Sequence, residues 1–133
     1  MKKLMFLSIF ISLASCKNDD NISENNDSIL GNWKMIKYIV YNKEPPIITK
    51  GDIVWIFDND SIKMINESPY SFASPKGTFP YTWVNNHEDI KVDLGYNMVY
   101  FKVNANNKSL HLTLTSGPEK PPVNNPIVIE FEK

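Results

Sequence analysis

The chain contains no arginine, and its 14 lysines are offset by 15 acidic residues. A domain that binds nucleic acid carries a basic face rich in lysine and arginine, which this composition does not supply. From residue 29 onward, eleven lysines balance eleven acids. We therefore expect no nucleic-acid partner.

Cysteine is almost absent as well, since Cys16 is the only one among 133 residues. A single cysteine excludes an intramolecular disulfide, a redox pair and a zinc site built from cysteines. Of the two histidines, His87 falls in a predicted turn and His111 on the polar face of a predicted strand. No Gly-x-Ser-x-Gly, His-Glu-x-x-His or phosphate-loop motif is present. The sequence thus indicates neither an enzyme nor a resident metal or cofactor.

The first sixteen residues have the pattern of an export signal. Lys2 and Lys3 precede an apolar run over residues 4–13, which small residues and Cys16 close. The run has about half of the roughly 20 residues that a membrane-spanning helix needs. The segment from Leu13 to Cys16 resembles the lipobox of bacterial lipoproteins, which implies cleavage after Ser15 and acylation of Cys16, with palmitate as one acyl chain. The alternative is an ordinary secreted protein with a chance cysteine at the cleavage point.

Residues 16–28 predict a disordered tether, because they are rich in asparagine, serine and acidic residues and poor in apolar ones. The Lys17 to Asp20 segment resembles the lysine-plus-acidic signal that sends some lipoproteins to the cell surface. An incidental solvated linker explains it equally well. We expect an outer-membrane, lipid-anchored protein, on either the periplasmic face or the cell surface.

Residues 29–133 are enough for one domain, and their pattern is all-β. Short apolar runs alternate with polar residues, as in the segment Leu110, His111, Leu112. Ile53 to Phe57 does not alternate, which predicts a strand covered on both sides. Pro80 predicts a fourth strand that starts late or is splayed from a neighbour. Eight strands are predicted, over residues 31–41, 53–57, 62–66, 79–84, 90–94, 98–103, 110–115 and 127–132.

The connections predict a topology. Those around residues 42–52, 67–78 and 116–126 are long and contain proline, whereas residues 58–60, 85–89 and 104–109 make short turns. Alternate connections of an up-and-down meander lie at the same end, so the long loops should share one mouth and the turns should close the other end. We expect a small eight-stranded antiparallel up-and-down barrel, with Gly31 and Lys133 at its closed end. An interior of this size is filled by side chains or holds one small ligand.

The residues from Leu30 to Trp33 resemble the Gly-x-Trp opening of lipocalins, in particular the lipocalin-like domains of outer-membrane lipoproteins. The resemblance implies that Gly31 and Trp33 form the base of the barrel, with Trp33 packed across its closed end. A plain core tryptophan is the alternative. An arginine that often covers this tryptophan in the family has no counterpart here.

Two functional classes follow from these expectations. The first is a non-catalytic binding protein that holds a small apolar or amphipathic ligand near the mouth of the barrel. The second is an interaction or structural module with a solid core that docks on an envelope protein. For the first class, the predicted ligand-binding residues are Trp55, Met64, Tyr81, Val99 and Leu114.

Overall fold

The computed structural model describes residues 28–118 and 120–133. The predicted signal peptide, the acylation site Cys16 and nearly all of the predicted tether lie outside the described residues. The eight strands are β1 (Gly31–Ile39), β2 (Ile53–Phe57), β3 (Ser61–Asn66), β4 (Gly77–Val84), β5 (Asp89–Asp93), β6 (Met98–Ala105), β7 (Ser109–Thr115) and β8 (Val128–Glu132). The first strand ends two residues before its predicted limit, and Tyr41 lies in the following turn.

The strands form one closed barrel in which each strand pairs with the next and β8 pairs with β1. All eight pairings are antiparallel. The predicted all-β up-and-down barrel is therefore confirmed. Gly31 is opposite Phe57 beside the β2–β3 turn, and the amide of Lys133 donates to Lys108 in the β6–β7 turn. Both ends of the domain thus lie at the end closed by short turns, as the connection lengths predicted.

Buried apolar side chains alternate with exposed polar ones along the strands, and the buried ones form the core. In β7, Leu110 and Leu112 are fully buried, while His111 between them is exposed. In β2, Ile53, Trp55 and Phe57 point inward, but Val54 and Ile56 keep part of their surface exposed on the outer wall. That strand is therefore covered only in part on its outer side. The β1–β2 connection folds down the outside of the barrel, where the ammonium of Lys50 lies 2.6 Å from the Glu132 carboxylate of β8.

Pro80 does not delay β4, which begins at Gly77, so the expectation of a late start is wrong. Its pairing partners instead change at the proline. Residues 77–80 pair with β3, whereas pairing with β5 begins at Tyr81. Proline has no N–H to donate to a neighbouring strand. Because Pro80 lies where pairing with β3 ends and pairing with β5 has not yet begun, few ladder hydrogen bonds are lost. The strand is splayed from β5 over its first half.

Trp33 closes the base of the barrel. Its side chain is fully buried, and its indole N–H donates to the carbonyl oxygen of Ile29 at 2.6 Å. The ammonium of Lys133 lies 4.8 Å from the centroid of the Trp33 ring, within the range of a cation–π contact. A lysine at the end of the chain therefore places a positive charge over this tryptophan, although the chain has no arginine to do so.

The described barrel is a self-contained folding unit. Its hydrogen-bonded ladder closes within residues 31–132, and the buried core runs from Ile29 to Phe131. A unit with its own closed ladder and core can fold alone. In residues 28–118 and 120–133, no helix has both the length and the apolar character needed to cross a membrane.

Candidate functional site

A cavity of about 220 Å³ opens at the end of the barrel that carries the long connections. Phe72 and Tyr96 stand at its edge with 63% and 81% of their surfaces exposed, so the cavity communicates with solvent. Strands supply most of its wall, and the β3–β4, β5–β6 and β7–β8 connections supply the rest. Its lining consists of Tyr38, Trp55, Met64, Phe72, Ala73, Pro75, Leu94, Tyr96, Val99, Phe101, Leu114, Ile127 and Ile129.

Aromatic side chains form the floor of this cavity. The ring of Trp55 lies 6.1 Å from that of Phe101 and 5.1 Å from that of Phe131, both measured between centroids. Phe57 packs on the opposite side of Trp55 at 6.3 Å. Tilted and edge-to-face rings at these spacings attract one another beyond the burial of their area. These rings fill the barrel interior below the cavity.

The β3–β4 connection, residues 67–76, covers one side of the opening and is held by a buried side chain at the end of β3. The amide nitrogen of Asn66 donates to the carbonyl oxygens of Tyr70 at 3.1 Å and Ser74 at 3.0 Å. Its amide oxygen accepts from the Ser68 N–H at 3.0 Å and the Ser68 hydroxyl at 2.6 Å. All hydrogen-bonding capacity of this amide is used within one loop.

A second contact fixes the same loop to the barrel. The indole N–H of Trp55 donates to the Ser74 hydroxyl at 2.8 Å, and that hydroxyl donates to the carbonyl oxygen of Pro75 at 3.0 Å. Ala73 and Ser74 are consequently buried although they lie in a connection. The loop backbone is pinned at two points, while the side chain of Phe72 projects into solvent.

Within residues 28–118 and 120–133, no charged side chain lines the cavity. Its polar groups include the hydroxyls of Tyr38 and Tyr96. Burial raises the pKa of the Tyr38 hydroxyl above its ordinary value, so this group stays neutral at physiological pH and can donate or accept one hydrogen bond. A cavity of this kind favours apolar atoms and disfavours a charged group, because no lining residue that the structure describes carries a charge to offset its loss of hydration.

Four of the five predicted ligand-binding residues, Trp55, Met64, Val99 and Leu114, line the cavity. Tyr81 does not. Its hydroxyl donates to the carbonyl oxygen of Asp58 in the β2–β3 turn at 2.7 Å, which places it toward the closed end of the barrel. Burial raises the pKa of the Tyr81 hydroxyl, and the negative charges of Asp60 and Asp58 raise it further.

The loop residues of the lining were not found from the sequence. Phe72, Ala73 and Pro75 come from the β3–β4 connection and Tyr96 from the β5–β6 connection, where Leu94 also lies although the sequence placed it in the fifth predicted strand. Strand periodicity identifies inward side chains of strands but gives no direction for residues in loops. Ile129 could have been found, because it continues the inward alternation of β8. Alternation from Trp33 and Met35 does not reach Tyr38, because a bulge between Met35 and Lys37 shifts the inward face of β1 by one residue.

The histidines do not form a chemical centre in the described part of the chain. The His87 ring packs beside Trp83 with 6.0 Å between centroids, and His111 is exposed on β7. Among residues 28–118 and 120–133, no group of three or more histidine, cysteine or acidic side chains is placed to hold a metal ion.

The candidate site is thus an uncharged, aromatic-floored cavity at the open end of a closed barrel. Comparison of this chain with protein-family models, with curated proteins and with solved structures finds no match.

Proposed function

We propose that this protein is a non-catalytic binding protein that holds the apolar part of a small molecule in the open end of its barrel. The observation that carries the proposal is the cavity of about 220 Å³, whose lining by the described part of the chain contains no charged side chain. Small-molecule sites are concave and mostly apolar, with a few polar groups that orient the ligand. Here the Tyr38 and Tyr96 hydroxyls supply the polar groups.

The volume limits what the cavity can hold. An apolar cavity of about 150 Å³ takes up benzene, which has six carbons. By the same ratio, a cavity of about 220 Å³ holds on the order of nine non-hydrogen atoms. This favours an eight- to nine-carbon alkyl chain or a single substituted ring over a large carrier ligand.

Calorimetric titration of residues 28–133 with 1-octanol tests this proposal. Leu114→Trp should abolish the binding, because Leu114 lines the cavity and the larger side chain fills it. Thr113→Trp is the matched control, because Thr113 precedes Leu114 in β7 and its side chain points to the opposite face. Equal octanol binding by the folded Leu114→Trp variant and the parent would refute the cavity as the site.

The second candidate function is docking on an envelope protein. The observation that favours it is the group of exposed apolar side chains around the same opening, in which Phe72, Tyr96 and Met98 are 63%, 81% and 48% exposed. Exposed apolar patches on a soluble domain mark interaction surfaces. Native mass spectrometry of the protein purified from its own envelope separates the two functions, since one expects a bound small molecule and the other a co-purifying protein.

We also propose that the protein is anchored to the outer membrane through acyl chains on Cys16. The support is the sequence pattern alone, a short apolar leader closed by small residues and the single cysteine. Two acyl chains give stable anchoring where one chain is marginal. Cys16→Ser should release the protein from membranes without changing the stability of the barrel. A Cys16→Ser protein that still sediments with the outer membrane would contradict acylation.

A further inference from the structure

A second depression lies beside the cavity, on the outer side of the rim. This outer groove has a volume of about 550 Å³ and lies between the β1–β2 connection and the β3–β4 connection. Its lining contains Tyr38, Val40, Lys43, Glu44, Pro45, Pro46, Tyr70, Phe72 and Ile127. Tyr38, Phe72 and Ile127 belong to the walls of both the cavity and the groove. The two spaces are therefore neighbours that share three side chains.

An aromatic pair forms the partition between them. The ring of Phe72 meets that of Tyr38 edge to face, with 5.8 Å between centroids and 69° between planes. The ring of Tyr70 meets that of Phe72 in the same manner, at 5.8 Å and 68°. Hydrogen bonds from Asn66 and Trp55 hold this loop, whereas the Phe72 side chain is 63% exposed, so Phe72 rather than the loop backbone is the part of the partition with room to rotate. Rotation of an exposed side chain takes picoseconds to nanoseconds.

The chemistry of the two spaces differs. Among the described residues, those that line the cavity carry no charge, whereas those that line the groove include one cation, Lys43, and one anion, Glu44. A turn fixes this part of the rim, since the Lys43 N–H donates to the Val40 carbonyl oxygen at 3.1 Å and Asn42 adopts a φ of 58°. The groove therefore presents both signs of charge beside an opening to an apolar space.

We propose that the cavity and the outer groove together bind one single-chain amphiphile with a zwitterionic head group. The alkyl end occupies the cavity, the head group lies in the groove between Lys43 and Glu44, and Phe72 closes over the junction. This inference rests on the proposed function of the cavity. A zwitterionic head matches the groove because its anion faces the lysine and its cation faces the glutamate, whereas a singly charged head meets one like charge.

Calorimetric titration of residues 28–133 with four octyl compounds below their micellar concentrations tests the inference. The probes are 1-octanol, octylphosphocholine, octyl sulfate and octyltrimethylammonium. Octylphosphocholine should bind most tightly. Because Lys43 and Glu44 are solvent-exposed, each head-group preference should be modest, about two- to fivefold.

Charge variants make the test specific. Glu44→Gln leaves the groove with a single positive charge, so octyl sulfate should gain affinity and octyltrimethylammonium should lose it. Lys43→Gln should produce the opposite change. The matched controls are Glu67→Gln and Lys76→Gln, at the two ends of the β3–β4 connection, because neither residue lines the groove. These controls should leave the order of the four affinities unchanged.

The association rate of the amphiphile tests the role of Phe72 in the partition. Phe72→Ala removes the partition and should raise the association rate of octylphosphocholine several-fold. Tyr41→Ala is the control, because Tyr41 is an exposed aromatic residue of the neighbouring connection that lines neither space.

The titrations distinguish failure of this inference from failure of the proposed function. If 1-octanol binds but the four affinities are equal and do not respond to Glu44→Gln and Lys43→Gln, the groove plays no part and this inference is overturned, while the cavity keeps its proposed function. If none of the four compounds binds, the proposed function and this inference are both overturned.

Discussion

Asn66→Asp should weaken the loop that covers the open end of the barrel. The substitution keeps the shape of the side chain and its acceptor oxygen, but it replaces the amide nitrogen with a second oxygen. The two hydrogen bonds to the carbonyls of Tyr70 and Ser74 are then lost, and at neutral pH a carboxylate faces both oxygens. Asn66 is only 1% exposed, so water cannot take over these bonds without rearrangement of the loop.

The expected destabilisation follows from these contacts. A typical intramolecular hydrogen bond contributes about 0.5 to 1.5 kcal/mol net, so two bonds account for about 1 to 3 kcal/mol. Burial and the facing carbonyl dipoles should raise the pKa of the introduced carboxyl group in the folded state above about 3.9, its value in an unfolded chain. The charged form then favours the unfolded state. The loss relative to the parent should therefore be smallest well below about pH 3.9, where the group is protonated in both states, and grow as the pH rises through the folded pKa.

Urea denaturation of residues 28–133 at several pH values measures this effect. The matched control is Asn104→Asp, because Asn104 is exposed on β6 and its substitution adds the same charge. The control should stay within about 0.5 kcal/mol of the parent, as surface substitutions usually do. An Asn66→Asp variant as stable as the control at pH 7 would show that the amide does not hold the loop.

Two further substitutions test the closed end of the barrel. Trp33→Ala should lower the free energy of unfolding by about 3 to 5 kcal/mol, because it empties a fully buried aromatic site. Lys133→Ala should lower it by about 0.5 to 1 kcal/mol, because it removes the cation over that ring. Equal urea midpoints for Trp33→Ala and the parent would show that the stability of the base does not depend on this ring. Tyr81→Phe should cost about 0.5 to 1.5 kcal/mol through the lost bond to Asp58. Because the pKa of Tyr81 is raised in the folded state, the parent should hold this contribution below about pH 10 and lose it as the pH rises through the folded pKa. The phenylalanine variant should show a smaller alkaline loss, and identical alkaline profiles would contradict the assignment.

Much of the fold could be predicted from the sequence because its causes are local. Inward and outward side chains alternate with a period of two, so the segment Leu110, His111, Leu112 predicts one buried and one exposed face of β7. Short turns join strands that must lie next to each other and run antiparallel. Strand number and turn length were therefore sufficient for the closed barrel and for the position of both ends of the domain.

The same local rule placed four of the predicted ligand-binding residues in one cavity but failed for Tyr81. Periodicity states which face of a strand a residue occupies, not its height along the barrel. The splayed first half of β4 leaves Tyr81 beside the β2–β3 turn. There the carbonyl oxygen of Asp58 accepts a hydrogen bond from the Tyr81 hydroxyl. The position of Tyr81 along the barrel axis depends on the register of β4 against β3 and β5, and this register follows from contacts across the sheet.

The sequence alone determined the alternation, the number of strands and the lack of arginine and of a second cysteine in this protein. Only the tertiary structure decided where the connections lie. The β3–β4 loop folds over the opening because Asn66 and Trp55 bind its backbone and its serine, and Lys133 reaches Trp33 because β8 closes on β1. These contacts join side chains to loop and terminal groups without a periodic relation in the chain, so strand periodicity does not predict them.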